Sequence, residues 1–219
     1  MDNKFKGVIF DLDGTLINSI PDIADSMNRV LSSHGLPEYP YEQFNYFVGN
    51  GIKQLVERSI PEQYRNGEKF EALFNAMMEE YGNNYLNKTY IYDGIPQLLN
   101  FLKNKGIKIS ILSNKADSIT RKICSELFRE QDFTVILGAT DNFPRKPSPD
   151  AALHIASVMD ILPENIFYLG DTNTDMQTAI AAGFFPAGAE WGFRTKEELA
   201  NAGAKFIASQ PLDCTIYFK

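Results

Sequence analysis

Residues 7–16 read GVIFDLDGTL, and this stretch decides the fold. Its apolar run, residues 8–10, has the β-branched character that is typical of a buried strand. The run stops abruptly at Asp11, and Asp13 follows two positions later, beside a glycine and a threonine. Carboxylates therefore emerge at the point where the strand is expected to end.

The repulsion between these two acids must be offset. Residues two apart in extended backbone point the same way, so Asp11 and Asp13 are expected to face one crevice. At ~4 Å and an effective dielectric of ~20 their repulsion is about 4 kcal/mol, which a cation or a retained proton must offset. A plain polar turn is the alternative. A calcium loop fails, because Leu16 stands where that loop needs glycine and Asp22 where it needs glutamate.

Composition limits the class of protein. The 219 residues are 44% hydrophobic and 22% charged, as in an ordinary globular protein. No apolar run approaches the ~20 residues that a membrane span needs, and MDNKFKG has no secretory pattern, so we expect a cytoplasmic protein without membrane contact. The net charge of −7 comes with scattered basic residues, which disfavours a nucleic-acid partner.

Two common kinds of site are disfavoured. Cys124 and Cys214 lie far apart without metal spacing, which gives no support to a zinc site or a disulfide scaffold. No GxSxG motif accompanies His34 or His154, so a Ser-His-Asp hydrolase is not expected.

The chain changes character along its length. Residues from about 20 to 87 show helical periodicity only, and at about 70 residues this insert is near the lower limit for independent folding. After it, helices alternate with apolar strands predicted at 107–112, 133–137, 166–169, 184–188 and, more weakly, 205–208. Such alternation predicts a parallel sheet with helices on both faces, whose ligands bind beyond the carboxyl ends of the strands.

Polar residues follow the predicted strands where that rule expects them. Ser113, Asn114 and Lys115 follow one strand, Lys146 stands in the loop RKPSPD, and Asp171 and Asp175 follow another strand in GDTNTD. Each has a structural alternative, such as a helix cap for Ser113 and Asn114. Taken together, the acids suit an oxygen-liganded cation such as Mg²⁺, and the lysine and hydroxyl donors suit a tetrahedral anion. This combination indicates phosphoryl transfer.

These motifs, in this order, resemble the four motifs of the haloacid dehalogenase-like hydrolases, over nearly the whole chain. The segments DGTLINSIPDI and VGNGIKQLVERSI are also similar to phosphoglycolate phosphatases. The resemblance implies a Rossmann-like α/β core, residues 1–17 and 88–219, whose parallel sheet is flanked by helices. A small all-helical cap domain, residues 18–87, would be inserted after the first strand and close over the site.

The resemblance also implies a role for each residue. Asp11 would be the nucleophile that forms an aspartyl phosphate, and Asp13 would be the general acid and base. Phosphate ligands would be Thr15, Ser113, Asn114 and Lys146. The metal, Mg²⁺, would be held by Asp11, Asp13 through its carbonyl, and Asp171, with Asp175 in support. Cap contacts to the substrate would come from Gly49, Gly51, Lys53 and Arg58. Lys53 and Arg58 could equally be helix charges that face solvent.

The expected activity is Mg²⁺-dependent hydrolysis of a small phosphorylated metabolite of the phosphoglycolate type, by a monomer or homodimer. The alternatives are a β-phosphoglucomutase-like phosphomutase, a pyrophosphatase, or a catalytically silent binding protein on the same fold. Related mutases usually place a histidine soon after the first motif, and residues 22–31 contain none.

Overall fold

The computed structural model describes residues 4–218. The chain divides into two compact units, one formed by Met1–Asn18 with Ile91–Lys219 and the other by Ser19–Tyr90. Short strands β2, Ile17–Asn18, and β3, Tyr90–Ile91, stand in the sequence at the two ends of the second unit.

The first unit is built on a six-stranded sheet. Its strands are β1 Gly7–Phe10, β4 Lys108–Ala116, β5 Phe133–Ala139, β6 Ile166–Gly170, β7 Phe185–Ala189 and β8 Phe206–Ala208. They lie in the order β5-β4-β1-β6-β7-β8, and every paired neighbour is parallel. The predicted α/β fold with a parallel sheet is therefore confirmed. Strand β1 lies in the middle, where the chain switches from one side of the sheet to the other, and ligands bind at such a point.

Helices flank this sheet. They are α5 Ile95–Asn104, α6 Asp117–Leu127, α7 Asp150–Met159, α8 Asn173–Ala181 and α9 Lys196–Asn201, with 3-10 turns at Pro163–Asn165 and Pro211–Phe218. All four residues of β1 are buried. One part of the core joins Ile9 of β1 to Ile155 and Met159 of α7 and to Tyr168 of β6. The central strand is thus fixed by packing, which anchors the acidic loop that follows it.

Strand β4 is longer than the sequence predicts. It continues past Leu112 to Ala116, with an irregularity in its pairing to β5 between those two residues. Ser113 and Asn114 therefore lie in the strand, and helix α6 begins only at Asp117. The helix-cap alternative for these two residues is wrong.

The second unit is helical, with α1 Ile20–Ser33, α2 Tyr41–Phe47, α3 Ile52–Ser59, a 3-10 turn at Glu62–Tyr64 and α4 Gly67–Asn84. Its helices bury an apolar core that includes Met27, Phe44, Leu73 and Met77. Within residues 4–218, none of the helices combines the length and the apolar character needed to cross a membrane.

Candidate active site

Asp11 and Asp171 lie at the same edge of the sheet. Phe10 of β1 pairs with Leu169 of the neighbouring parallel strand β6, and the Asp11 N–H donates to the Leu169 carbonyl at 2.9 Å. Each aspartate is the first residue after its strand, so the two side chains meet. With Asp175 they form a buried cluster in which one carboxylate oxygen of each lies within 4.8 Å of the others.

The turn after β1 is fitted against Asp171. Gly14 has a φ of +86°, and a Cβ built there would lie 2.1 Å from Asp171 Oδ2, so only glycine can occupy this position. Thr15 follows, fully buried, and its hydroxyl donates to Asp171 Oδ1 at 3.0 Å. The predicted phosphate ligand Thr15 therefore also fixes the predicted metal ligand Asp171.

Lys146 lies at the centre of the acidic cluster. Its buried Nζ is 2.8 Å from Asp11 Oδ1 and 2.7 Å from Asp175 Oδ1. Burial on its own lowers the pKa of this ammonium, but the carboxylates of Asp11 and Asp175 more than offset it and hold the pKa well above its usual 10.5. Lys146 therefore stays charged.

Asn114 holds the main chain of Lys146. Its amide Nδ2 donates to the Lys146 carbonyl at 3.1 Å, and its Oδ1 accepts from the Lys146 N–H at 2.9 Å. The sequence predicts Asn114 as a phosphate ligand, whereas in the structure its side chain positions the lysine. Ser113 is buried at the same strand end, and its oxygen accepts from the Lys115 N–H at 3.2 Å. Its hydroxyl proton can thus be directed to an anion.

Asp175 acts on the site through Lys146. Besides the lysine, its carboxylate accepts hydrogen bonds from the Tyr168 hydroxyl at 3.2 Å and from the N–H and hydroxyl of Thr172 at 3.1 and 2.7 Å. Thr172 and Asp175 form the capping box of α8, which explains why Asp175 is fixed and fully buried. Tyr168 is a site residue that the sequence prediction missed, because its apolar strand context indicates only core.

Lys115 is the second missed residue. Its Nζ lies 2.8 Å from both carboxylate oxygens of Asp13, and both side chains are largely buried. The Asp13 side chain therefore points to Lys115, and it is not among the three carboxylates of the buried cluster. In the sequence, the signal for Lys115 was its position directly after Ser113 and Asn114, at the end of a predicted strand.

Two acids of the cluster have raised pKa values. Burial raises the pKa of Asp11 from 3.8 to about 7, helped by the negative charges of Asp175 and Asp13, while Lys146 opposes the rise. Burial likewise raises the pKa of Asp171 well above 3.8, with repulsion from Asp11 and Asp175 adding to it. Oxygen ligands that repel one another in a buried position fit a hard divalent cation, which relieves the repulsion.

The predicted cap residues have contacts within their own unit. The Arg58 guanidinium donates to the carbonyls of Tyr46 and Phe47 at 3.2 and 3.0 Å and to Asn50 Oδ1 at 2.8 Å. Arg58 thus braces the turn between α2 and α3, in which Gly49 and Gly51 both have positive φ, of 115° and 87°.

Lys53 differs from Arg58. It is exposed, and its Nζ lies 5.8 Å from the centre of the Phe70 ring, a cation–π distance.

Comparisons with known proteins identify relatives of this chain. The family model for haloacid dehalogenase-like hydrolases matches residues 8–189. A phosphoglycolate phosphatase from Aquifex aeolicus (strain VF5) is 32% identical over 206 residues, which cover 94% of this chain and 93% of the relative. One from Nitrosospira multiformis is 34% identical over 185 residues, covering 81% and 80%.

Solved structures give the same result. The crystal structure of a predicted phosphoglycolate phosphatase from Haemophilus somnus 129pt has a TM-score of 0.90 at 26% identity, covering 99% of both chains. Fold, site and relatives together define the class of protein, an α/β phosphatase. More narrowly, the chain belongs to the haloacid dehalogenase-like hydrolase family.

Proposed function

We propose that the chain is a Mg²⁺-dependent phosphatase that hydrolyses a small phosphate monoester through an aspartyl phosphate, with phosphoglycolate as the first substrate to test. The observation that carries this proposal is the buried contact of 2.8 Å between Lys146 Nζ and Asp11 Oδ1, within the acidic cluster. A buried carboxylate held against a permanent cation is suited to attack phosphorus while the lysine balances the charge that builds up.

In the first step, an Asp11 oxygen forms a bond to phosphorus and the bond from phosphorus to the ester oxygen breaks. For this step Asp13 carries a proton instead of pairing with Lys115, and it gives that proton to the departing oxygen, which leaves as the alcohol. In the second step, Asp13 takes a proton from water, whose oxygen attacks the phosphorus of the aspartyl phosphate. The bond to Asp11 breaks, inorganic phosphate leaves, and both aspartates return to their starting states.

The remaining residues bind and orient. The Ser113 hydroxyl and the Lys146 ammonium would bind phosphoryl oxygens, whereas the Thr15 hydroxyl donates to Asp171 and would hold that aspartate in place. Asp11, Asp171 and the Asp13 carbonyl would hold Mg²⁺, for which the carboxylate chemistry of the cluster is suited. When bound, the ion would neutralise the acids and the phosphate.

The choice of phosphoglycolate rests on the relatives that carry this name. Its carboxylate needs a cation on the protein. Of the two predicted cap cations, Arg58 is engaged by the turn before α3, so we favour Lys53 for this contact.

The test is release of inorganic phosphate from a panel of esters by the full chain, with Mg²⁺ and with EDTA. The panel contains phosphoglycolate, sugar phosphates and pyrophosphate, and the Asp11→Asn variant serves as control. We expect Mg²⁺-dependent release from a small monoester and none from the variant. No release from any ester would favour a silent binding protein, and an isomerised sugar phosphate seen by phosphorus NMR would favour a mutase.

A further inference from the structure

A short segment after β7, residues 191–193, contacts both the turn after β1 and Asp171. The segment lies outside the four sequence motifs. The indole Nε1 of Trp191 donates to the main-chain carbonyl of Thr15 at 3.0 Å, across 176 positions of sequence. This contact fixes the backbone of the turn that carries the Thr15 hydroxyl and follows Asp13. Trp191 is also the only tryptophan in the chain.

The same segment holds Asp171. The Phe193 N–H donates to Asp171 Oδ2 at 2.9 Å, while the Thr15 hydroxyl donates to Asp171 Oδ1 at 3.0 Å. Both carboxylate oxygens are therefore bound, one from each side. The contacts form a closed ring that runs from Trp191 to Thr15, to Asp171, to Phe193 and back along the chain.

Gly192 allows the ring to close. A Cβ at this position would lie 2.2 Å from Asp171 Cβ and 2.5 Å from the Gly14 carbonyl oxygen. These distances are far below a normal contact, so the backbone of the segment lies directly against the aspartate and the Gly14 turn. The glycine is required here by space.

We propose that residues 191–193 are a positioning element, which sets the relative placement of Asp171 and Thr15 and thereby the affinity of the site for its divalent cation. The inference rests on the proposed function, and extends it to a segment outside the residues proposed to bind substrate or cation. The Phe193 N–H bonds an oxygen of Asp171 itself, and the Trp191 indole bonds the residue whose hydroxyl holds that aspartate. Losing the indole donor therefore loosens the ligand without removing it. A cation that needs fixed oxygens then binds more weakly.

The test compares two variants with the wild type in calorimetric titrations with Mg²⁺ alone, without substrate. Trp191→Phe removes the indole N–H and keeps an aromatic ring, and we expect it to raise the Mg²⁺ dissociation constant about fivefold, the value of one ordinary hydrogen bond. Gly192→Ala displaces Asp171 directly, and its effect should be larger. Gly82→Ala is the matched control, since a Cβ at Gly82 meets nothing within 4 Å.

Kinetics add a second measurement. We expect the Mg²⁺ concentration for half-maximal turnover to rise by the same factor in Trp191→Phe, with KM for the ester at saturating Mg²⁺ changed less. Equal Mg²⁺ dissociation constants for wild type and Trp191→Phe would overturn the inference alone, even if the variant unfolds earlier on heating. A wild type that binds no Mg²⁺ would overturn the inference together with the Mg²⁺ dependence in the proposed function. If Gly192→Ala does not fold, Trp191→Phe still decides.

Discussion

The ammonium group of Lys115 lies 2.8 Å from both carboxylate oxygens of Asp13, and only 5% and 12% of the two side chains are exposed. A two-pronged ion pair with so little water around it fixes the direction of the carboxylate. Removing either partner would leave the other charge buried without a counter-ion, because both groups have already lost most of their contact with water.

Replacing Lys115 with methionine should lower the free energy of unfolding by about 3–5 kcal/mol, since the Asp13 carboxylate is left in a largely dry position without its cation. The double variant Lys115→Met with Asp13→Asn should lose less than the sum of the two single variants. Urea unfolding of all four proteins measures this coupling, and additive losses would show that the ion pair contributes nothing specific.

Asp13→Asn should separate the two chemical steps. With p-nitrophenyl phosphate, whose leaving group needs no proton, the variant should still release p-nitrophenol in a first-turnover burst. Steady-state turnover and hydrolysis of an alkyl phosphate should fall by about 10²–10⁴-fold, the usual contribution of general acid–base catalysis. Stopped-flow absorbance measures the burst.

Asp11→Asn is the control for that experiment, because removing the nucleophile should abolish the burst as well. A burst in Asp11→Asn, or equal losses for both esters in Asp13→Asn, would contradict the assigned roles.

The affinity for Mg²⁺ should rise with pH. Burial raises the pKa of Asp11 to about 7 in the absence of metal, so below that pH a cation must displace a proton. We expect the dissociation constant to fall about tenfold per pH unit between about pH 5 and 7 and to level off above. Calorimetry in buffers of different ionisation enthalpy counts the released proton, and a constant affinity over this range would be contrary to expectation.

The same shift has an effect on stability. The folded protein binds the Asp11 proton more tightly than the unfolded chain does, since the folded pKa is about 7 and the ordinary value is 3.8. The contribution of Asp11 to the metal-free protein's stability therefore falls as pH rises from the ordinary value through about 7. Asp11→Asn should remove this part of the pH dependence in urea unfolding.

The sequence predicted the parts of the site that follow from local pattern. Asp11 and Asp171 were predicted from one rule, that polar residues after parallel strands share an edge, and the structure places them together. Lys146 was predicted because the start of the following helix explains Ser148 and Pro149 but not a lysine in this loop. Each of these inferences needed only a strand end and its neighbours.

The missed parts depend on distant partners. Lys115 follows a predicted strand, but its role depends on Asp13, which lies 102 positions away in the sequence. Tyr168 has the pattern of a buried strand, and only its hydroxyl contact with Asp175 gives it a role. Trp191 contacts Thr15, which lies 176 positions away in the sequence. Hydrophobic patterns in the sequence predict strands and helices, whereas these pairs of distant side chains depend on tertiary packing.

In the helical unit, Asp22 joins the start of α1 to the segment that follows α4. Near the start of α1, this buried carboxylate accepts hydrogen bonds from the N–H groups of Lys88 and Thr89 at 2.8–2.9 Å and from the Thr89 hydroxyl at 2.7 Å. Asp22→Asn should lower the free energy of unfolding by about 2–3 kcal/mol, because an amide offers one acceptor atom and brings an NH₂ against backbone donors.

Asp25 supplies the matched control from the same helix. Its carboxylate pairs with the Lys88 ammonium at 2.6 Å, but the side chains of Lys88 and Asp25 are 56% and 23% exposed. Asp25→Asn should therefore cost less than about 1 kcal/mol, as expected for a surface ion pair. Urea unfolding of both variants at neutral pH makes the comparison. Equal losses would mean that Lys88 is held mainly through its side chain, and that the backbone contacts of Asp22 do not close the unit.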